Sequence, residues 1–146
     1  MATRILPLLC LLAAAVLAPA CSSPDPEPTP APAPRVFGQW ELVELNGQTL
    51  VFDGRAPSLA LAPDGKVAGF AGLNRFTGET DVQGLREGRI ALGPMALTKM
   101  AGSAEEMAFE RRYLAALEGA QRAELRDGKL ELWTGTTCVA RFAAPR

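Results

Sequence analysis

The segment Ser103–Gly119, SAEEMAFERRYLAALEG, decides how this chain is to be read. Ser103 is followed three residues later by Glu106, the spacing of a capping box in which each side chain satisfies a main-chain N–H at the other residue. At 100° per residue Met107, Phe109, Tyr113, Leu114 and Leu117 fall on one side. Gly119 stands where a left-handed C-cap belongs. The stretch therefore predicts a helix of about four turns. Glu110 falls near the middle of the apolar arc, where a hydrocarbon is expected. A buried carboxylate without a partner costs several kcal/mol, so Glu110 needs one. The candidates are Arg75, through a two-pronged guanidinium contact, and the main-chain amides of the Gly72–Asn74 turn. Glu110 reads first as a polar anchor that specifies the fold and second as a ligand-binding acid.

Around this helix everything is β-patterned. "WELVEL" (40–45) alternates Trp40 and Leu42, and "TLVF" (49–52), "SLALA" (58–62), "KVAGFAG" (66–72) and "RIALG" (89–93) are further strand-length runs. The C-terminal "AELRDGKLELWTGTTCVARFA" adds two or three more. Asp53-Gly54, Asp64-Gly65 and Asp127-Gly128 suit tight reversals, because Gly accepts a positive φ and Asp tolerates it. The expected class is α+β: a small, mainly antiparallel, partly closed sheet or barrel with one helix packed against it.

The densest motif is "GFAGLNRFTGET" (69–80). Its glycine spacing, Gly69, Gly72 and Gly78, matches no nucleotide-binding pattern, and no Lys-Ser or Lys-Thr pair closes it. Glycine within strands marks a bulge or a close main-chain approach. Phe70 and Phe76 then supply core volume, and Asn74 suits a left-handed position or bonds to nearby amides. The functional alternative makes Asn74, Arg75 and Thr77 a polar edge that meets a ligand or partner. Asn74, Arg75, Thr77 and Glu110 are together the candidate polar cluster. Glu79 and Asp81, two apart on an expected strand, share a face as a glycosidase pair would, but the default is two carboxylates in solvent.

Composition narrows the chemistry. Among 146 residues there is no histidine, which removes the usual general base and the commonest metal ligand. No Cys pair and no Asp-rich loop of calcium-binding spacing takes its place, so neither metal nor cofactor is expected. The 15 basic residues, less Arg4 of the leader, leave 14 against 16 acidic ones, and no basic stripe forms to neutralise nucleic acid.

The N-terminus reads as an export signal, residues 1–20. Arg4 precedes an apolar run, Ile5–Leu17, of 13 residues, shorter than the roughly 20 a permanent span needs. "LAPAC" resembles a bacterial lipobox, with Ala18 where Leu is usual; Ala18 and Ala20 also suit the general signal peptidase. The residues that follow, 21–35, CSSPDPEPTPAPAPR, favour acylation of Cys21. They alternate proline with small or acidic residues, a semi-rigid spacer between a membrane surface and a domain over 36–146. Ser22 and Ser23 lack the Asp of an inner-membrane retention signal, which favours an outer-membrane anchor facing the periplasm over a secreted or periplasmic soluble protein. Residues Ser22–Pro34 hold no apolar side chain larger than Ala or Pro, so their deletion removes nothing from a core. Cys10 leaves with the leader and Cys21 takes lipid, so Cys138 stays unpaired and reads as a small buried hydrophobe.

"GQWELVELNG", "GFAGLNRFTGE", "ALGPMALTKMAG", "EEMAFERRYLAAL" and "DGKLELW" follow in the order found in META-domain proteins, the HslJ-like group, and the resemblance spans about Phe37–Ala143. It implies an envelope lipoprotein linked to heat response, antibiotic tolerance or motility, without catalytic activity, and an acid at Glu110. Many members resembling this chain carry Cys where it has Leu73 and Gly102, so no disulfide or metal role of that pair carries over. The expectation is a non-enzymatic binding or stress-related module: membrane-attached through Cys21, monomeric, with an envelope protein or peptide as partner and no nucleic acid. The alternative is a periplasmic hydrolase working with carboxylates alone.

Overall fold

The computed structural model describes residues 36–145. Nine strands and two helices follow in the order β1 (Gly38–Leu45), β2 (Gln48–Thr49), β3 (Ser58–Leu61), β4 (Lys66–Phe70), β5 (Arg75–Glu79), α1 (Val82–Arg86), β6 (Ala96–Leu97), α2 (Ala104–Glu118), β7 (Arg122–Arg126), β8 (Lys129–Thr134) and β9 (Thr137–Ala143). All pairings are antiparallel, in the spatial order β6-β5-β4-β3-β1-β9-β8-β7, with β2 added to β1. Five hairpins, β1–β2, β3–β4, β4–β5, β7–β8 and β8–β9, set most of this order. Asn46 (φ 49°) and Gly47 (φ 78°) turn β1 into β2, and Asp127 (φ 50°) and Gly128 (φ 72°) turn β7 into β8. Two successive positive φ values give the turn twist that matches paired strands. Gly65 (φ 87°) closes the β3–β4 turn with its N–H on the Ala62 carbonyl, and Gly135 (φ 55°) lies between β8 and β9.

The non-local step is β1 against β9, Leu42 opposite Phe142, which places the first and last strands at the middle of the sheet. In "WELVEL" the inward residues Trp40 and Leu42 keep a period of two, and Leu45 breaks it. A bulge between Leu42 and Glu44 absorbs the extra residue, so Leu45 returns to the core and Glu44 faces Arg141. The ladder does not close on itself. The chain between α1 and β6 spans its two ends through isolated bridges, Arg89 with Arg122 and Thr80 with Leu92, and brings Ile90 into the core. The result is an open sheet, partly closed by this segment, with α2 packed against it.

Several expectations change. "TLVF" contributes only Thr49 to a strand, and "RIALG" is held by the isolated bridges alone. Asp53-Gly54 forms a bend and reverses no hairpin. The helix runs Ala104–Glu118 with the capping box in place. Its end at Gly119 is right-handed (φ −81°), with the Gly119 N–H on the Ala115 carbonyl (3.0 Å) and the Gly119 carbonyl accepting from the Thr134 hydroxyl (2.7 Å). Tyr113 and Leu117 are fully buried, whereas Met107 lies exposed on the helix surface. Asp81 is not on a strand: its carboxylate accepts from the Gln83 and Gly84 amides and caps α1, so it shares no face with Glu79. Among the described residues no helix is long and apolar enough to cross a membrane.

Candidate functional site

The β4–β5 connection lies beneath α2 because two glycines let main chain approach. Gly72 has φ 95°, and a Cβ there would stand 3.1 Å from the Phe109 ring. At Gly69 a Cβ would collide with the Ser58 carbonyl at 2.1 Å and the Phe76 ring at 2.4 Å, so the phenyl packs over bare backbone across the hairpin. Phe76, Phe109 and Phe142 surround Tyr113, with ring centroids 6.3–6.5 Å from it. Burial pushes the Tyr113 hydroxyl well above its ordinary pKa; it donates to the Ser58 carbonyl (3.1 Å).

Asn74, 5% exposed, is the centre of the polar cluster. Its main-chain N–H donates to Glu110 Oε2 (2.7 Å) and its amide NH2 to Glu110 Oε1 (3.1 Å) and the Met100 carbonyl (3.2 Å). Its amide oxygen accepts from the Thr98 hydroxyl (2.9 Å) and the Met100 N–H (2.7 Å). Its own carbonyl accepts from the Ala71 N–H (2.8 Å). Every donor and acceptor of this residue is used. One side chain thus ties the β4–β5 turn, the 98–100 segment and α2 together.

Glu110 therefore takes its partners from Asn74, main chain and side chain. Arg75 is not among them. It begins β5, and since Phe76 faces the core, Arg75 must face outward. Its main chain alone joins the latch, donating to Thr98 Oγ1 (3.1 Å). Thr77 is also exposed on the outer face. The four candidates accordingly divide: Asn74 and Glu110 meet inside, Arg75 and Thr77 outside. Asn74 has an ordinary backbone, the positive φ of this turn falling to Gly72. Thr98 and Met100 complete the latch, and the sequence reading gave them no role; the signal was the polar Thr-Lys pair in an exposed, otherwise apolar run. Leu73 lies against Gly102, where a Cβ would be 2.9 Å from its Cδ1, so the two positions that bear Cys in the resembling proteins are neighbours. Cys21 lies outside the described residues.

On the outer face of β3–β5 the cross-strand register lines up Gln39, Ala60, Ala68 and Thr77, and beside them Ser58, Phe70 and Arg75. All of these but Phe70, together with Arg55, whose guanidinium sits 4.7 Å from the Phe70 ring centroid, bound an open cavity of about 330 Å³. On the other half of the sheet Arg141 bridges Glu44 and Glu131, the latter 4% exposed, and Arg122 and Arg126 flank Trp133 while pairing Glu124. Cys138, half-buried on this half, has its thiol pKa raised by burial and by the Glu131 carboxylate. Among the described residues no group of three or more His, Cys, Asp or Glu is placed to hold a metal ion.

Residues 35–146 match the model of the META domain family. No curated protein matches the chain. Among solved structures, an NMR structure of a protein from Burkholderia xenovorans is 22% identical, with a TM-score of 0.59 over 85% of this chain and 98% of that one. A second NMR structure is 19% identical (TM-score 0.56, 73% and 88% covered). A crystal structure of a DUF4847 family protein from Bacteroides vulgatus is 14% identical (TM-score 0.51, 73% and 91% covered). At these identities the likeness is one of fold.

Proposed function

The chain belongs to the META-domain family, and we propose that it serves as a non-enzymatic lipoprotein of the bacterial envelope, held at the outer membrane by acylated Cys21 and binding an envelope protein or peptide. The observation that carries the reading is the fate of Glu110. The acid that the sequence offers first as a polar anchor and second as a ligand-binding group has both oxygens engaged by Asn74, in a cluster with no spare donor or acceptor on that residue. The other acids proposed for chemistry are dispersed: Asp81 caps α1, and Glu79 is exposed at the end of β5. What the domain offers a partner is its outer surface.

Export and anchoring follow from the leader, the small residues before Cys21 and the proline-rich spacer after it. Three acyl chains would hold far more firmly than the marginal, reversible binding of one. The family resemblance adds heat or antibiotic exposure as the setting in which the protein acts; its working form in this reading is a monomer. Intact mass of protein extracted from membranes tests the anchor. The expected mass is that of a chain beginning at Cys21 with acyl groups attached, and Cys21→Ser should release or misprocess it. An unmodified mature chain free of the membrane would overturn the proposal.

A further inference from the structure

We infer that the outer face of β3, β4 and β5 is a docking trough for an extended peptide segment bearing acidic side chains, with Arg55 and Arg75 as its carboxylate-binding pair. The inference rests on the binding reading above and names the site and the chemistry of the partner. The row Gln39–Ala60–Ala68–Thr77 crosses four adjacent strands. Three strand spacings make it roughly 14 Å long, the length of about four extended residues. Its two central side chains are methyl groups, which makes the row a depression. Along one side the next row rises: Ser58, Phe70 and Arg75, with Arg55 stacked on the phenyl ring. Gln39 and Thr77 stand at the ends, able to donate and accept hydrogen bonds along a peptide main chain.

Charge selects the occupant. Arg75 is the cross-strand partner of Phe70, and Arg55 lies over the same ring, so two arginines border one cavity beside one phenyl. Neither takes part in an ion pair among the described residues, and no carboxylate lines the cavity. Like charges brought together without a counter-charge are a standing repulsion, which an incoming carboxylate relieves while accepting two parallel N–H bonds from a guanidinium. A lone phosphate would engage only the arginine edge and leave the methyl floor and the Gln39 and Thr77 ends unused. A peptide uses all of it.

The test is titration followed by NMR, with the mature chain carrying Cys21→Ser so that no detergent is needed. The probe is a short peptide of alanines and two glutamates, blocked at both ends, and its counterpart has glutamine in place of glutamate. The expected result is saturable shifts at the amides of Ala60, Ala68 and Thr77 and at the Arg55 and Arg75 side chains with the glutamate peptide alone. Arg55→Gln and Arg75→Gln should each weaken binding by about tenfold, while Arg86→Gln, an exposed arginine outside the cavity, leaves it unchanged. Equal binding of the glutamine peptide, or shifts unmoved by the arginine variants, would overturn the inference. So would inorganic phosphate or phosphatidylglycerol vesicles that shift the same residues when the peptide does not. Tighter peptide binding after Asp25→Asn and Glu27→Gln would assign the trough to the chain's own spacer and overturn the external partner. Acylation of Cys21 is unaffected by any of these outcomes, so failure here is separable from failure of the anchoring proposal.

Discussion

The two halves of one sheet use arginine on their outer faces to opposite ends. On β1, β8 and β9, Arg141 is held between Glu44 and Glu131, and on β7 Arg122 and Arg126 share Glu124. At the β3–β5 face, Arg55 and Arg75 border one cavity, Arg55 over the Phe70 ring, and no carboxylate lines it. The difference teaches how to separate fold from function. A polar group whose partners lie within the domain is accounted for by stability, and the latch of Asn74 and Glu110 is the extreme case. A charged group that the fold leaves without a partner is free to meet another molecule.

The comparison can be broken by mutation, and the largest effect belongs to the latch. Glu110→Ala leaves the Asn74 main-chain N–H and one of its two amide hydrogens without an acceptor and should destabilise the domain by about 2–4 kcal/mol in urea unfolding. An alanine variant that unfolds like the parent would return Glu110 to the list of ligand-binding acids. Arg141→Ala comes next. It strips Glu131 of its nearest cation, with Arg126 still 3.9 Å away, and the expected loss is about 2 kcal/mol, below the range for a fully isolated buried charge. Arg55→Gln and Arg75→Gln should change stability by less than about 0.5 kcal/mol. A larger loss would mean that the β3–β5 face is as structural as its counterpart.

How much of this was legible in the sequence depends on how local each determinant is. The helix could be read because Ser103 and Glu106 cap it within four residues of chain, and Asp64-Gly65 and Asp127-Gly128 because a hairpin turn is self-contained. Asn46-Gly47, with two successive positive φ values, is an equally local signal. "TLVF" and "RIALG" had strand composition, but ladder length depends on what is available to pair, and each found one or two partners. Met107 fitted the helical wheel yet lies exposed, since the width of the buried stripe is set by the sheet beneath. The need of Glu110 for a partner followed from its place on the wheel. Which partner it takes depended on a strand phase: Phe76 facing in sends Arg75 out, and only the turn before it, with Asn74, reaches the helix. The link from Asn74 to Thr98 and Met100 joins segments that no local pattern connects.

The smallest expected effect is in acid, on neither face. The Ser103 main-chain N–H and hydroxyl hold Glu106 below its usual 4.5, the Lys66 amide lowers Asp64, and Gln83 with Arg89 lowers Glu87. A carboxylate whose pKa is lower in the folded state stabilises fully above its unfolded value and loses that contribution as pH falls through the folded value. Melting temperature should therefore hold down to about pH 4.5 and decline below it, and Glu106→Gln should soften the decline. A melting temperature that rises on acidification would contradict these assignments.

The account's central claim is that Asn74 and Glu110 act as one structural unit, and a double-mutant cycle of Asn74→Ala and Glu110→Ala, followed by urea unfolding, tests it most directly. Coupling of about 1 kcal/mol or more is predicted, the double variant being clearly more stable than the sum of the two single losses implies, because each substitution already removes the side-chain bond the other would break, the main-chain bond at residue 74 being lost with Glu110 alone. Losses that add to within about 0.3 kcal/mol would show two independent residues and contradict the latch.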